Sequence, residues 1–496
     1  MHLDEFLQII GEFGTFQRRQ YFLICLAALY TAVPILCSVF LAATPTYNCK
    51  IPAEYVSSAD RAYRNLSHEE LLNLTIPWEE KDGELVRSSC KLKSWERDNR
   101  TGNGTYYEVP STSDNNTASI ECPLGREYSQ EIHTSTVVSE FDLGCGNEWL
   151  VSTSQSVFFV GKLVGDALSG ILSDRFGRKP TFLVAAMLSA SVGILTALSP
   201  NVIVYIVSQG LQGSLSGCIF LTTFTIGLEF VGPSKRNLTG FGVMYFFSFG
   251  YFYLVLFAYF IRNWRHLALV LYVPAYLFGL YYFVLPESFR WLLSRRRTEE
   301  AEKLIRSVSM TNINSEPDYE TIKSVIEDKD EAVTSTRTYT PLDMVRTWKR
   351  TALTINVCFN WMVNSMVYYG LSLNSAGLGG DLYLNFTLMG AIEIPAYTLA
   401  VFLIDKVGRR MSLGLSTRWL QQATYPASPS MVFLRGGCIK EIDQRGLSWT
   451  VWEGLHRGSV QIRNSIMAIL DRAPADKFKD KRVPSALSSI FGASEQ

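Results

Sequence analysis

The chain has 496 residues, a formal net charge of zero, 47% hydrophobic and only 19% charged residues. The averages hide clustering: positions 20–49, 180–228, 237–261, 266–286 and 351–380 hold no Asp, Glu, Lys or Arg. A membrane-spanning helix needs about 20 mostly apolar residues and soluble core helices are shorter, so these runs exclude a soluble enzyme.

Residues 1–20 read as a cytoplasmic N-terminus. The apolar runs then place helices at roughly 21–43, 149–172, 180–199, 202–228, 240–262, 265–285, 352–373 and 383–404. The first exceeds the apolar region of a signal peptide, about 7–15 residues, and is read as retained. Basic clusters at Arg18/Arg19, Arg175/Arg178/Lys179, Lys235/Arg236, Arg290/Arg295/Arg296/Arg297, Lys349/Arg350 and Lys406/Arg409/Arg410 recur in alternate loops. The positive-inside rule makes those loops and the N-terminus cytoplasmic.

The loop at 44–147 is then outside, and its chemistry agrees. Asn65, Asn73, Asn99, Asn103 and Asn115 each open a glycosylation sequon, which is modified only on the lumenal side. Cys49, Cys90, Cys122 and Cys145 lie in the same loop, where an oxidising compartment favours two disulfides whose pairing the sequence leaves open. Cys25, Cys37, Cys218 and Cys358 sit in apolar runs and read as packing residues.

Residues 21–286 thus read as a six-helix bundle, and 287–350 as a cytoplasmic loop. Within that loop Ala301, Leu304, Ile305 and Val308, then Tyr319, Ile322, Val325 and Ile326, repeat at helical spacing and predict two short amphipathic helices. Residues 351–414 read as a partial second bundle.

Two motifs stand at corresponding places. Gly170-Ile-Leu-Ser-Asp-Arg-Phe-Gly-Arg-Lys179 joins the second and third helices, and Phe402-Leu-Ile-Asp-Lys-Val-Gly-Arg-Arg410 closes the eighth. The match implies a duplicated unit of about six helices. Gly177 and Gly408 allow the tight turns, and the flanking basic residues can pair with acids at neighbouring helix ends, Glu229 and Glu287 being the nominees. Asp174, Arg175, Arg178, Arg290, Asp405 and Arg409 complete this candidate gating set, which would close the inner side in one state and break in the other. A twelve-helix repeat needs four further helices after 414. The tail at 415–496 does not supply them, because its longest uncharged stretch, 419–434, holds Gln421, Gln422, Pro426 and Pro429.

From residue 1 to about 414 the sequence resembles the major facilitator superfamily, specifically its organic cation/anion/carnitine transporter branch. The first motif, Pro286-Glu-Ser-Phe-Arg-Trp-Leu292, the long glycosylated loop, and Tyr368-Tyr-Gly-Leu-Ser-Leu-Asn374 leading to Glu393-Ile-Pro-Ala-Tyr397 carry the resemblance. It is strongest to the carnitine and organic cation members. It implies an all-α polytopic fold of helical bundles, with about 8 of an expected 12 helices present.

Glu393 is the leading site residue, with eleven uncharged positions on either side. A mid-membrane carboxylate is costly unless it meets water or a cation, and the resemblance gives it a role in attracting cationic substrates. Trp361 and Tyr368 on the seventh helix and Tyr245, Phe246 and Phe249 on the fifth match family positions that line the central cavity, where aromatic faces suit quaternary ammonium groups. Lys162 and Asp166, at i and i+4 in the second helix, depart from the family's small or apolar residues. A structural pair and a substrate or ion role are both open for them.

The expected function is alternating-access transport of organic cations or zwitterions such as carnitine, with a small-molecule substrate and the lipid bilayer as partners and no nucleic acid. A truncated isoform regulating a full-length transporter, with which it would associate, and an organic anion transporter are the rival readings. No His-Glu-x-x-His, Gly-x-Ser-x-Gly or phosphate-cradling glycine loop occurs, so no enzyme, cofactor or metal is expected. The family resides in the plasma membrane, with retention in the endoplasmic reticulum open for this chain.

Overall fold

The computed structural model describes residues 3–62, 67–81, 84–95, 97–98, 106–107, 118–320, 322, 324, 344–373 and 380–408. Helices follow the apolar runs because lipid offers a backbone amide no partner, whereas a helix satisfies its own hydrogen bonds. A short α1 (Leu3–Ile9) precedes α2 (Thr15–Leu36), which contains Pro34 and gives way at Cys37 to a separate turn, Ser38–Leu41. Then come α3 (Trp149–Phe176), α4 (Arg178–Ala197), α5 (Val202–Glu229) and α6 (Arg236–Phe260). α7 (Trp264–Tyr272) runs on as a 3-10 stretch, Val273–Leu280, and a last turn, Tyr281–Val284; Pro274 lacks the amide that a regular α pattern would use. α8 (Thr298–Ile313) is followed by α9 (Trp348–Leu373) and α10 (Leu382–Lys406).

Helices thus occupy all eight expected positions. Among the described residues seven spans are long and apolar enough to cross a membrane. α9 stands at the seventh expected position and is not among the seven, because Lys349, Arg350 and a run of Asn356, Asn360 and Asn364 lower its apolarity. Boundaries differ from expectation where charged residues stay helical: α2 starts at Thr15, ahead of Arg18 and Arg19, and α3 continues through Asp174 and Arg175.

α3 and α5 touch backbone to backbone. A Cβ on Gly161 would stand 2.0 Å from the Gly210 carbonyl oxygen, and one on Gly165 2.0 Å from that of Ser214. α6 lies against α10, where a Cβ on Gly390 would come within 2.7 Å of the Tyr251 Cβ. This contact brings the site residues of the two helices together.

The N-terminal segment is packed. Phe6, Leu7 and Ile10 are buried, the Asn312 side chain donates to the Ile10 carbonyl at 3.1 Å and to Gln17 at 2.8 Å, and it accepts from the Phe16 amide at 2.9 Å. α8 buries Ala301, Ile305 and Val308, as its periodicity predicts. The second amphipathic helix lies largely outside the described residues, although Ile322 is buried.

The loop at 44–147 contains short antiparallel ladders that an all-helical reading passes over: Tyr47–Cys49 with Arg126–Tyr128, Trp78–Lys81 with Glu84–Arg87, and Lys91–Lys93 with Ser119–Glu121. Disulfides join Cys49 to Cys122 and Cys90 to Cys145. Its own small core centres on Tyr55 stacked on Trp95 at 4.4 Å, with Leu72, Ile76 and Leu92. The loop is clamped to α7 by Glu140, which accepts from Arg265 at 2.6 Å and from the Trp264 indole at 2.7 Å, while Arg265 also donates to the Ala197 and Ser199 carbonyls. Asn73 is half-buried and its Oδ1 accepts from Arg87 at 2.9 Å; Asn65, Asn99, Asn103 and Asn115 lie outside the described residues. Cys25, Cys37 and Cys218 are buried, but Cys358 is exposed, because it falls on a face of α9 that no described element covers.

Candidate substrate site and cytoplasmic ion cluster

Glu393 projects from α10 into a ring of hydroxyls. Its Oε1 accepts from Tyr368 at 2.7 Å, and its Oε2 accepts from Ser248 at 2.6 Å and from Tyr397 at 3.4 Å. Tyr251 extends the network, with its hydroxyl 2.9 Å from that of Tyr368 and 3.4 Å from Ser372. The helical repeat sets the geometry: Ser248 and Tyr251 are three apart on α6, Tyr368 and Ser372 four apart on α9, and Glu393 and Tyr397 four apart on α10. Each helix therefore turns two groups to one point.

Every donor to Glu393 is neutral, and among the described residues no Lys or Arg pairs with it. Among the described residues the carboxylate has its hydrogen bonds but no counter-charge.

The other expected cavity residues divide. Tyr245 is close by, its hydroxyl 2.7 Å from Thr398 and its ring 6.1 Å from that of Tyr397. Phe249 is 44% exposed and meets Phe246 edge-on at 5.8 Å. Phe246 itself packs towards α2, with Phe22 at 6.1 Å and beside Cys25 and Val243. Trp361 is 70% exposed and is not brought to Glu393. Seven residues from Tyr368 it shares that residue's face of α9, but two turns lower, about 10 Å along the axis. Sequence reasoning did not assign roles to Ser248, Tyr251, Ser372 and Tyr397. The available signal was a hydroxyl four residues after the carboxylate; the partners on α6 and α9 have none, because they meet only through tertiary packing.

Lys162 and Asp166 form an ion pair at 3.2 Å, with Lys162 only 15% exposed. The Asp166 carboxylate fills a notch left by Gly217: a Cβ there would stand 2.2 Å from Asp166 Oδ1.

At the ends of α3 and α5 Arg178 grips Glu229 through two hydrogen bonds, at 3.2 and 3.3 Å, and pairs with Asp174 at 3.0 Å. Glu287 pairs differently from expectation: it accepts the amides of Arg178 at 3.1 Å, Lys179 at 3.3 Å and Ser288 at 2.9 Å. The Arg178 and Lys179 amides start α4, so the carboxylate sits at its positive end. Burial raises the Glu287 carboxyl above the usual range, and the Ser288, Lys179 and Arg178 amides draw it partly back. Gly177 has φ +110°, and a Cβ on it would stand 2.4 Å from Glu287 Oε2, so glycine is required twice over. The Trp291 indole donates to the Asp174 carbonyl at 2.9 Å, tying the segment after α7 to the end of α3. Arg175 lies over the Phe176 ring at 5.5 Å, and Gly408 repeats the positive φ at +87°. The Asp405 side chain and Arg409 lie outside the described residues, so the second copy of the motif is seen only in part.

The family model for sugar (and other) transporters matches residues 104–430. An organic cation transporter protein of Drosophila melanogaster is 35% identical over 418 residues, covering 83% of this chain and 72% of the relative. The organic cation/carnitine transporter 2 of Homo sapiens is 36% identical over 415 residues with the same shares. Among solved structures, the xylose transporter XylE from E. coli in a partially occluded inward-open conformation covers 80% of this chain and 74% of its own at 16% identity, with a TM-score of 0.47.

Apolar spanning helices around a polar centre, together with these relatives, define a multi-pass membrane transporter, not an enzyme. The chain belongs to the sugar (and other) transporter family of the major facilitator superfamily, in its organic cation/carnitine branch.

Proposed function

We propose that this chain serves the transport of small organic cations, or zwitterions carrying a cationic group such as carnitine, by alternating access, with Glu393 as the counter-charge for the cationic end. What supports the reading is the Glu393 carboxylate, held by three neutral hydroxyls with no cation beside it among the described residues. Tyr245, Tyr368 and Tyr397 around it suit an alkylammonium group, each worth about 0.5–2 kcal/mol through cation–π attraction. The relatives' names point the same way. In the proposed cycle the Arg178–Glu229 pair and the Glu287 contacts hold the cytoplasmic side in one state and part in the other.

The test is uptake of a labelled quaternary ammonium compound by cells expressing the chain, with Glu393→Gln compared at matched surface amount. Gln keeps the volume and removes the charge, so uptake is expected to fall about tenfold or more. Equal uptake would sink the reading.

A further inference from the structure

The cation site accounts for one end of a substrate; Lys162 points to the other. Phe159, Lys162 and Asp166 fall at i, i+3 and i+7 on one face of α3. The Phe159 ring meets that of Tyr369 at 4.8 Å, Tyr369 meets Tyr368 at 5.1 Å, and Tyr368 donates to Glu393. A row of three rings, Phe159, Tyr369 and Tyr368, therefore runs from the face of α3 that carries Lys162 and Asp166 to the Glu393 carboxylate.

Asp166 is anchored in the Gly217 notch, and Lys162 is anchored by Asp166 through both carboxylate oxygens, at 3.3 and 3.2 Å. The stem passes beside the Phe220 ring, with the ammonium 5.9 Å from its centre. An ammonium has three N–H donors, and one carboxylate takes at most two of them. Among the described residues Asp166 is the only hydrogen-bond partner of Lys162, so at least one donor of a largely buried ammonium is unspent. A partner for it is an oxygen anion.

Resting on the reading of Glu393 as the cation site, we propose that Lys162, positioned by Asp166, binds the carboxylate of a zwitterionic substrate whose quaternary ammonium is held at Glu393. Charges then alternate in sign along the row: Asp166, Lys162, substrate carboxylate, substrate ammonium, Glu393. Every nearest neighbour is attractive. A simple cation fills only half of this arrangement, and a simple anion meets Glu393 unshielded, so the pair makes the site prefer zwitterions over cations and exclude anions.

The experiment measures binding, which does not depend on turnover. The purified full-length chain in lipid nanodiscs is titrated with ω-trimethylammonio carboxylates of about three to six carbons and with the matching carboxamides, which keep the cation and nearly the shape. The expected result is a carboxylate preference of about tenfold or more for at least one chain length. Lys162→Arg should keep that preference, and Lys162→Gln with Asp166→Asn, which swaps the ion pair for an amide pair, should reduce it to about twofold or less. Equal binding of carboxylate and carboxamide by the parent, or a preference surviving in the double variant, would overturn the inference while leaving the cation site standing. Binding of neither series by the parent would overturn the cation reading, and this inference with it. If the double variant does not fold, the parent comparison still decides.

Discussion

At the scale of single residues, charge placement governs what can be removed. Arg178 and Glu229 are 13% and 14% exposed, so deleting one leaves the other buried without its partner. Arg178→Met is expected to destabilise by about 3–5 kcal/mol, and adding Glu229→Gln should restore part of the loss. Thermal unfolding in detergent, read as a double-mutant cycle, checks this; additive losses would mean that the pair is not coupled. Glu287 is held by amides instead of by a cation, so Glu287→Gln, which keeps one acceptor oxygen, should cost less than Arg178→Met in the same assay. Glu393 stood out as a candidate in the sequence because a mid-membrane carboxylate needs a reason. Its hydroxyl donors were not, because Ser, Thr and Tyr occur throughout these helices and only proximity selects Ser248 and Tyr368.

At the scale of elements, the α3–α5 contact rests on absent side chains. Ala is intrinsically better than Gly in a helix by about 1 kcal/mol. At Gly165, however, the added Cβ would stand 2.0 Å from a backbone oxygen, and overpacking costs about 1–3 kcal/mol. Gly165→Ala is therefore expected to destabilise, whereas Gly170→Ala, with nothing within 4 Å of its Cβ, should be neutral or stabilising. Size-exclusion profiles and melting temperatures of the two variants separate them, and equal melting points would refute the close-packing account. Helix positions followed from apolar runs alone, because the bilayer sets the length. The 3-10 stretch in α7 and the short strands of the outer loop did not, since the former preserves the apolar run and the latter are three or four residues long and held by disulfides.

At the scale of the whole molecule, the outer loop and the bundle are joined by the Glu140–Arg265 clamp. Burial alone would raise the Glu140 carboxyl, but the hydrogen bonds from Arg265 and Trp264 and the Arg265 charge outweigh it and hold the group below the usual carboxylate range. A depressed acid stabilises above its unfolded pKa, about 4.3, and the benefit is lost as pH falls from there through the folded value. The stability advantage of the parent over Glu140→Gln should thus be constant near neutrality and shrink only below about pH 4.3. A gap that closed between pH 7 and 5 would contradict the clamp. The placement of the loop outside has its own check: glycosidase treatment of the cell-expressed chain should increase its mobility, and endoglycosidase H resistance would assign it beyond the endoplasmic reticulum.

Two kinds of information built this protein, and they separate cleanly. The sequence by itself determined the membrane class and the helix positions, because each depends on transfer energies and charge counts that are local along the chain. Only the tertiary structure decided which cysteines pair, that Glu287 accepts the amides that start α4, that Trp361 is exposed, and that Phe159 of α3 meets the Tyr369–Tyr368 rings beside Glu393. Those outcomes depend on how closely helices approach, which small residues on two partners settle together and no single segment specifies.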